Sequence, residues 1–200
     1  ELGMELEVDK NYRYVALSER KKNYLGVLPD NRVDIKGLTG KKRHTPEFIK
    51  STFNQLIEIL GQVQTYPYFD QARIKIKDLV QDSYSKLRNR KYSMDDLAFN
   101  MMIGKAVAGY TKTTPQHVKA AQQLTNSGSE IKAGDLVSFV KVTSSSGVKP
   151  VQLASIHEID VEKYTEYIRS TFEQVLDAVG LDYEELTGAK KLESFFPGAA

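Results

Sequence analysis

The stretch YRYVALSERKKNYLGVLPDNRVDI, residues 12–35, decides the fold. It holds three short β-favouring runs, over 12–17, 23–28 and 32–35, and Pro29-Asp30-Asn31 supplies the turn between the last two. A further run over 4–8 precedes them, so the spacing predicts a small antiparallel meander. Short strands with no long covering helix before them make a poor core alone. The sheet is therefore expected to pack on something outside this chain. The first residue, Glu1 rather than Met, agrees with an expectation that preceding residues were removed or that the chain is a piece of something longer.

Beyond the sheet the apolar period becomes helical. Thr45-Pro46-Glu47 predicts a helix start, with Thr as cap and Pro first in the helix, carrying Phe48, Ile49, Phe53, Leu56, Ile57 and Leu60 to a stop at Gly61. A second helix is expected over 71–87, with Ile74, Leu79, Val80 and Leu87 inward and Arg73, Lys75, Lys77, Lys86 and Arg88 exposed. A strand over 97–103 follows. Thr114-Pro115 opens a helix bearing Val118, Ala121 and Leu124, and strands are expected over 135–143 and 151–156. A long amphipathic helix fits 161–179, with Tyr164, Tyr167, Ile168, Phe172, Val175, Leu176 and Val179 as its stripe and Gly180 as its stop, and Asp182 starts a short last helix. The class is α+β: a small antiparallel sheet, then a mainly helical portion with a few short strands, then a peptide tail.

Composition bounds the function. At 200 residues, 40% hydrophobic and 27% charged, the chain reads as an ordinary globular protein. Without cysteine it has no disulfide framework, thiol chemistry or cysteine-ligated metal. No apolar run approaches the roughly 20 residues of a membrane span, and the first residues are unlike a secretory signal, so a cytoplasmic protein is expected. The net charge of +2 hides a gradient. Residues 20–50 hold 9 Lys/Arg against 3 Asp/Glu and residues 51–150 hold 13 against 8, while 1–19 hold 2 against 5 and 151–200 hold 4 against 10. A basic centre between acidic ends suits a polyanion on one surface, and equally suits a solvated surface of uneven charge.

The search for catalytic chemistry returns negatives. His44, His117 and His157 are far apart in sequence and lack partners at metal-motif spacing. There is no Gly-rich phosphate loop and no nucleophile elbow. Ser93-Met94-Asp95-Asp96 has the form of a helix cap rather than an acid pair. No catalytic residue and no metal ligand is assigned.

Basic sites interleaved with aromatics remain. In Arg20-Lys21-Lys22-Asn23-Tyr24, Lys22 and Tyr24 alternate onto one strand face, where a cation and a phenol reach a phosphate or a minor-groove acceptor; a basic edge that discourages strand pairing is the alternative. Lys41-Lys42-Arg43, after Gly37 and Gly40 and before a helix start, favours an anion or serves as a hinge. Tyr110, Lys112, Gln116, His117 and Lys119 surround a second helix start.

These segments, SERKKNYLGVL, DIKGLTGKKRHTPEFIK, DLAFNMMIGKAVAGYTKTTPQHVKAA, GDLVSFVKV and the 148–176 region, together resemble the C-terminal part of an archaeal family B DNA polymerase over nearly the whole chain. Lys22-Asn23-Tyr24 matches the family's KxY element, which lies in the palm behind the active site. The resemblance implies the end of the palm over 1–38, a thumb over 39–187 that grips primer–template duplex through Lys22, Tyr24, Lys41, Lys42, Arg43, Tyr110, Lys112, Gln116, His117 and Lys119, and a flexible tail over 188–200.

The resemblance also implies what is missing. The aspartates that hold two Mg2+ ions in the complete polymerase, including those of a YGDTDS hairpin, are absent, as are the exonuclease and fingers. This chain is then a nucleotidyltransferase component expected to be inactive alone and to bind no cofactor itself, whether as a fragment or as the small subunit of a split polymerase. Its implied partners are primer–template DNA, a larger polymerase portion and a sliding clamp, with no membrane. Leu192, Phe195 and Phe196 resemble a clamp-interacting peptide, with Ala189 where a Gln is usual. The alternative functions are a non-catalytic duplex-binding module and a clamp adaptor.

Overall fold

The computed structural model describes residues 8–18, 23–37, 44–111 and 114–183. The expected α+β class is what the chain adopts, with two three-stranded antiparallel sheets and four α-helices among the described residues. Packing divides these residues into two compact units. The first gathers those of 8–37, 54–80 and 171–183, and the second those of 44–53 and 81–170.

In the first unit, β1 (Tyr14–Leu17), β2 (Tyr24–Val27) and β3 (Val33–Lys36) form a meander in chain order. Tyr24 lies opposite Leu17 and Lys36, and Gly26 opposite Val15 and Asp34. Alternation then buries Ala16, Leu25 and Val27 on one face and leaves Val15, Leu17, Tyr24 and Asp34 on the other. The predicted turn closes β2 to β3 by a Leu28 N–H bond to the Arg32 carbonyl at 2.8 Å, with Asn31 at φ 67°, a left-handed conformation that Asn tolerates. The Arg13 guanidinium donates to Asn31 Oδ1 at 2.7 Å and to the Gly61 carbonyl at 2.8 Å, while Tyr14 Oη donates to the Leu60 carbonyl at 2.6 Å. These bonds fasten the sheet to a helix end. Gly61 is required there, because a Cβ would lie 2.9 Å from the Asn31 carbonyl oxygen.

Helix α1 (Glu47–Gly61) starts one residue after Pro46, whose carbonyl accepts from Lys50 at 3.0 Å. Ile49, Phe53, Leu56 and Leu60 are fully buried, as their spacing predicts. Helix α2 (Tyr66–Arg88) begins earlier than expected, because Pro67 sits in its first turn, where a missing N–H costs nothing. Its buried stripe is Ala72, Ile76, Val80, Ser83 and Leu87. Ile74 is 63% exposed, against expectation: two positions from Ile76 it points about 200° around the helix, so both cannot face inward.

The second unit is built on β4 (Phe99–Met102), β5 (Leu136–Lys141) and β6 (Val148–Pro150), with α3 (Gln116–Asn126) burying Val118, Ala120, Ala121 and Leu124. Ser93 and Asp96 exchange bonds of 2.8 and 3.2 Å, the reciprocal cap expected of that motif. The expected strand over 151–156 is instead two 3-10 turns, Val151–Leu153 and Ile156–Glu158. Pro150 ends the ladder, and Ser155 and Glu158 form a second capping box that the serine and glutamate spacing encodes. Helix α4 (Val161–Ala178) follows, with Gly180 at φ 69° after it. Of its stripe, Tyr164, Ile168, Phe172, Val175 and Leu176 are buried, while Tyr167 is partly exposed. Tyr164 Oη donates to the Leu97 carbonyl at 2.8 Å and accepts from the Lys141 N–H at 3.0 Å, and burial pushes this phenol's pKa up.

Candidate nucleic-acid interface

Two groups of side chains, one in each unit, carry the basic and aromatic residues singled out by the sequence. On the open face of the first sheet, Tyr24 stands at the start of β2, and β3 places Asp34 diagonally across from it. Asp34 Oδ2 accepts from Lys10 Nζ at 2.8 Å, from Tyr12 Oη at 2.7 Å and from Tyr24 Oη at 3.3 Å. The two phenol oxygens lie 3.4 Å apart, and the rings meet edge to face at 6.2 Å. The Lys10 ammonium, then the Tyr12 phenol, hold the Asp34 carboxyl down at about 2. The same contacts act in reverse: the bonds to Tyr24 and Asp34 raise the Tyr12 phenol, and Asp34 raises Lys10. Tyr24 was legible in the sequence. Lys10, Tyr12 and Asp34 were not, since the run before β1 that carries Lys10 and Tyr12 meets Asp34 of β3 only through the sheet.

In the second unit the start of α3 gathers Tyr110, Gln116 and His117. The Tyr110 and His117 rings meet at 89° with centroids 6.4 Å apart, and Lys105 Nζ lies 4.8 Å over the Tyr110 ring. Lys141 Nζ donates to Gln116 Oε1 and lies 5.3 Å over the Phe99 ring. Burial, then repulsion from Lys163, lowers the Lys141 pKa, and burial, then His44, lowers that of His117. His44 itself bonds the Asn100 carbonyl through Nδ1 at 2.8 Å. Lys119 is exposed one helical turn along α3 from Gln116. Lys105 and Lys141 escaped the sequence reading because each is a lone lysine with no neighbouring cation. Their aromatic seats, Tyr110 and Phe99, are the signal that joins them to the group.

Lys22, Lys41, Lys42, Arg43, Lys112, Leu192, Phe195 and Phe196 lie outside the described residues. Among those described, no three His, Asp or Glu side chains gather to hold a metal ion. No helix among them is long and apolar enough to cross a membrane.

Comparison with known proteins gives one consistent result. Residues 2–179 match the model of DNA polymerase family B. DNA polymerase 1 of Saccharolobus solfataricus is 49% identical over 194 residues, covering 97% of this chain and 22% of that protein. DNA polymerase 1 of Aeropyrum pernix is 38% identical over 191 residues, covering 96% of this chain and 20% of that protein. The solved family B DNA polymerase from the hyperthermophilic archaeon Pyrobaculum calidifontis is similar at a TM-score of 0.62 and 28% identity, over 88% of this chain and 22% of that one. The chain spans about a fifth of the length of the curated relatives it matches.

Proposed function

We propose that this chain, which belongs to DNA polymerase family B, grips primer–template duplex behind a polymerase active site whose metal-binding carboxylates lie elsewhere in the polymerase. The observation that carries this reading is the gathering of Lys105, Tyr110, Gln116, His117 and Lys141 at the start of α3, with Lys119 one turn on. Such a group offers a duplex several cations, an imidazole and an amide from rigid elements, which suits contact with the phosphate backbone rather than with base edges. Lys22, Tyr24, Lys41, Lys42, Arg43 and Lys112 extend this grip. The part over 1–38 completes the palm and the part over 39–187 acts as the thumb.

This chain alone does not polymerise in this reading, because two-metal phosphoryl transfer needs carboxylates that its sequence motifs do not supply. Carboxylates outside this chain would hold the Mg2+ ions of the complete polymerase. The Leu192, Phe195 and Phe196 peptide serves a sliding clamp, supported by the sequence spacing of an aliphatic residue followed three and four positions later by two aromatics. A titration of labelled primer–template duplex across ionic strengths tests the grip. Affinity that falls steeply with salt is expected, and affinity indifferent to salt contradicts a phosphate-gripping surface.

A further inference from the structure

We propose that Asp34 is the positioning residue of the Tyr24 contact, acting directly and through Tyr12, so that Tyr24 meets nucleic acid in one fixed orientation. The inference rests on the duplex-binding reading of Tyr24 above.

The arrangement is specific to these side chains. Tyr24 is the first residue of a four-residue strand on the open face of a three-stranded sheet, where a phenol without partners samples several rotamers. Asp34 removes that freedom by accepting from both phenols on one carboxylate oxygen. The Tyr12 bond is the short one, at 2.7 Å, and the Tyr24 bond is long, at 3.3 Å. Tyr12 is therefore the better-held ring, and its edge-to-face contact with Tyr24 passes that order on.

Two features allow Tyr12 to reach this place. Gly26, opposite Asp34 in the register, leaves the sheet face flat, and a Cβ there would stand 2.5 Å from Tyr12 Cδ1 and Cε1. Lys10 offsets the charge that Asp34 brings to a surface meant for a polyanion, at 2.8 Å. The carboxylate thus remains a proton acceptor for the phenols while the ammonium screens it from phosphate. A contact residue held in its bound orientation loses less entropy on binding, which is how an acidic side chain assists a polyanion-binding surface.

The test is a double-mutant cycle on the 200-residue chain, read by fluorescence anisotropy of a labelled primer–template duplex at neutral pH and fixed salt. The variants are Asp34→Asn, Asp34→Ala, Tyr24→Phe and the doubles, each checked by thermal melting. Asp34→Asn keeps the shape of the side chain if Asp34→Ala fails to fold. Tyr24→Phe and each Asp34 variant are expected to weaken binding about three- to tenfold, the range of one net hydrogen bond, and the doubles are expected to bind no worse than Tyr24→Phe alone. If Tyr24→Phe weakens binding but the Asp34 variants do not, or if their losses simply add, Asp34 does not act through Tyr24 and the proposal is overturned while the duplex-binding reading stands. If Tyr24→Phe binds as tightly as the parent, the reading of Tyr24 as a contact fails and takes the proposal with it.

Discussion

The ring of Tyr12 lies across Gly26, so close that the smallest side chain at position 26 would overlap it by its Cβ, 2.5 Å from two ring carbons. Glycine inside a strand costs about 0.5–1 kcal/mol relative to alanine, and here it secures a seat for a ring that reaches Asp34. Gly26→Ala is expected to keep the fold, with the backbone gain offsetting the lost contact, and to swing Tyr12 off the carboxylate. The Tyr12 phenol, raised in the parent, should then return toward its ordinary ionisation range near 10. Titration of 13Cζ-labelled tyrosine by NMR reads this directly, and an unchanged Tyr12 titration counts against the seat.

Asp34 makes an acid-side prediction whose sign follows from its depressed folded pKa of about 2. A carboxyl stabilised in its ionised form contributes stability that is fully present above its unfolded pKa, near 4, and is lost as pH falls through 2. The side-chain carboxyl resonance of Asp34 should therefore titrate about two units below an unperturbed aspartate. In Lys10→Ala its midpoint should rise, since the Lys10 ammonium is the largest cause of the depression.

Tyr164→Phe should destabilise the second unit. The hydroxyl both donates to the Leu97 carbonyl and accepts from the Lys141 N–H, and its loss leaves two backbone groups without this partner beneath a fully buried ring. A cost of about 1–3 kcal/mol is expected, measured by denaturant unfolding. A variant as stable as the parent would mean that water replaces the hydroxyl.

His117 is expected to link duplex binding to pH. In the free chain, burial and then the nearby His44 lower its pKa, which favours the neutral imidazole. A phosphate brought beside it favours the charged form, so binding takes up a proton and affinity should rise as pH falls from neutral into the acid range. His117→Ala should flatten that rise, and an identical pH profile in the variant excludes His117 from the interface.

The lysines around α3 should act as phosphate contacts with no base preference. Lys105→Ala and Lys119→Ala are each expected to weaken duplex binding to a similar degree across sequences and to reduce the slope of log affinity against log salt by about one. A loss confined to particular base sequences would instead indicate base-edge reading.

The sequence disclosed the elements whose signal is local. The Pro29-Asp30-Asn31 turn, the Ser93 and Asp96 cap, the α1 stripe and the Gly180 stop each depend on residues within a few positions of one another, and each formed as expected. Where phase had to be chosen, at Ile74 against Ile76, two isoleucines two positions apart left the buried face ambiguous. The strand expected over 151–156 failed because its β-favouring residues were outweighed by Pro150 and the Ser155 cap. At the candidate interface, Tyr24, Tyr110 and His117 stood out by type and context. Asp34 and Lys10 did not, because an acidic residue 24 positions from a lysine has no meaning until the sheet register brings them together.

If this chain supplies the duplex grip of a polymerase whose chemistry lies elsewhere, its contribution must show in the assembled enzyme. Primer extension with Mg2+ and all four nucleotides tests it most directly, using this chain alone, the remaining catalytic portion of the polymerase alone, and the two mixed. No extension is expected from this chain alone, and extension by the mixture should lie well above that of the catalytic portion, with the gain reduced by Lys105→Ala and Lys119→Ala. Extension by this chain alone, or a mixture no better than the catalytic portion, would contradict it.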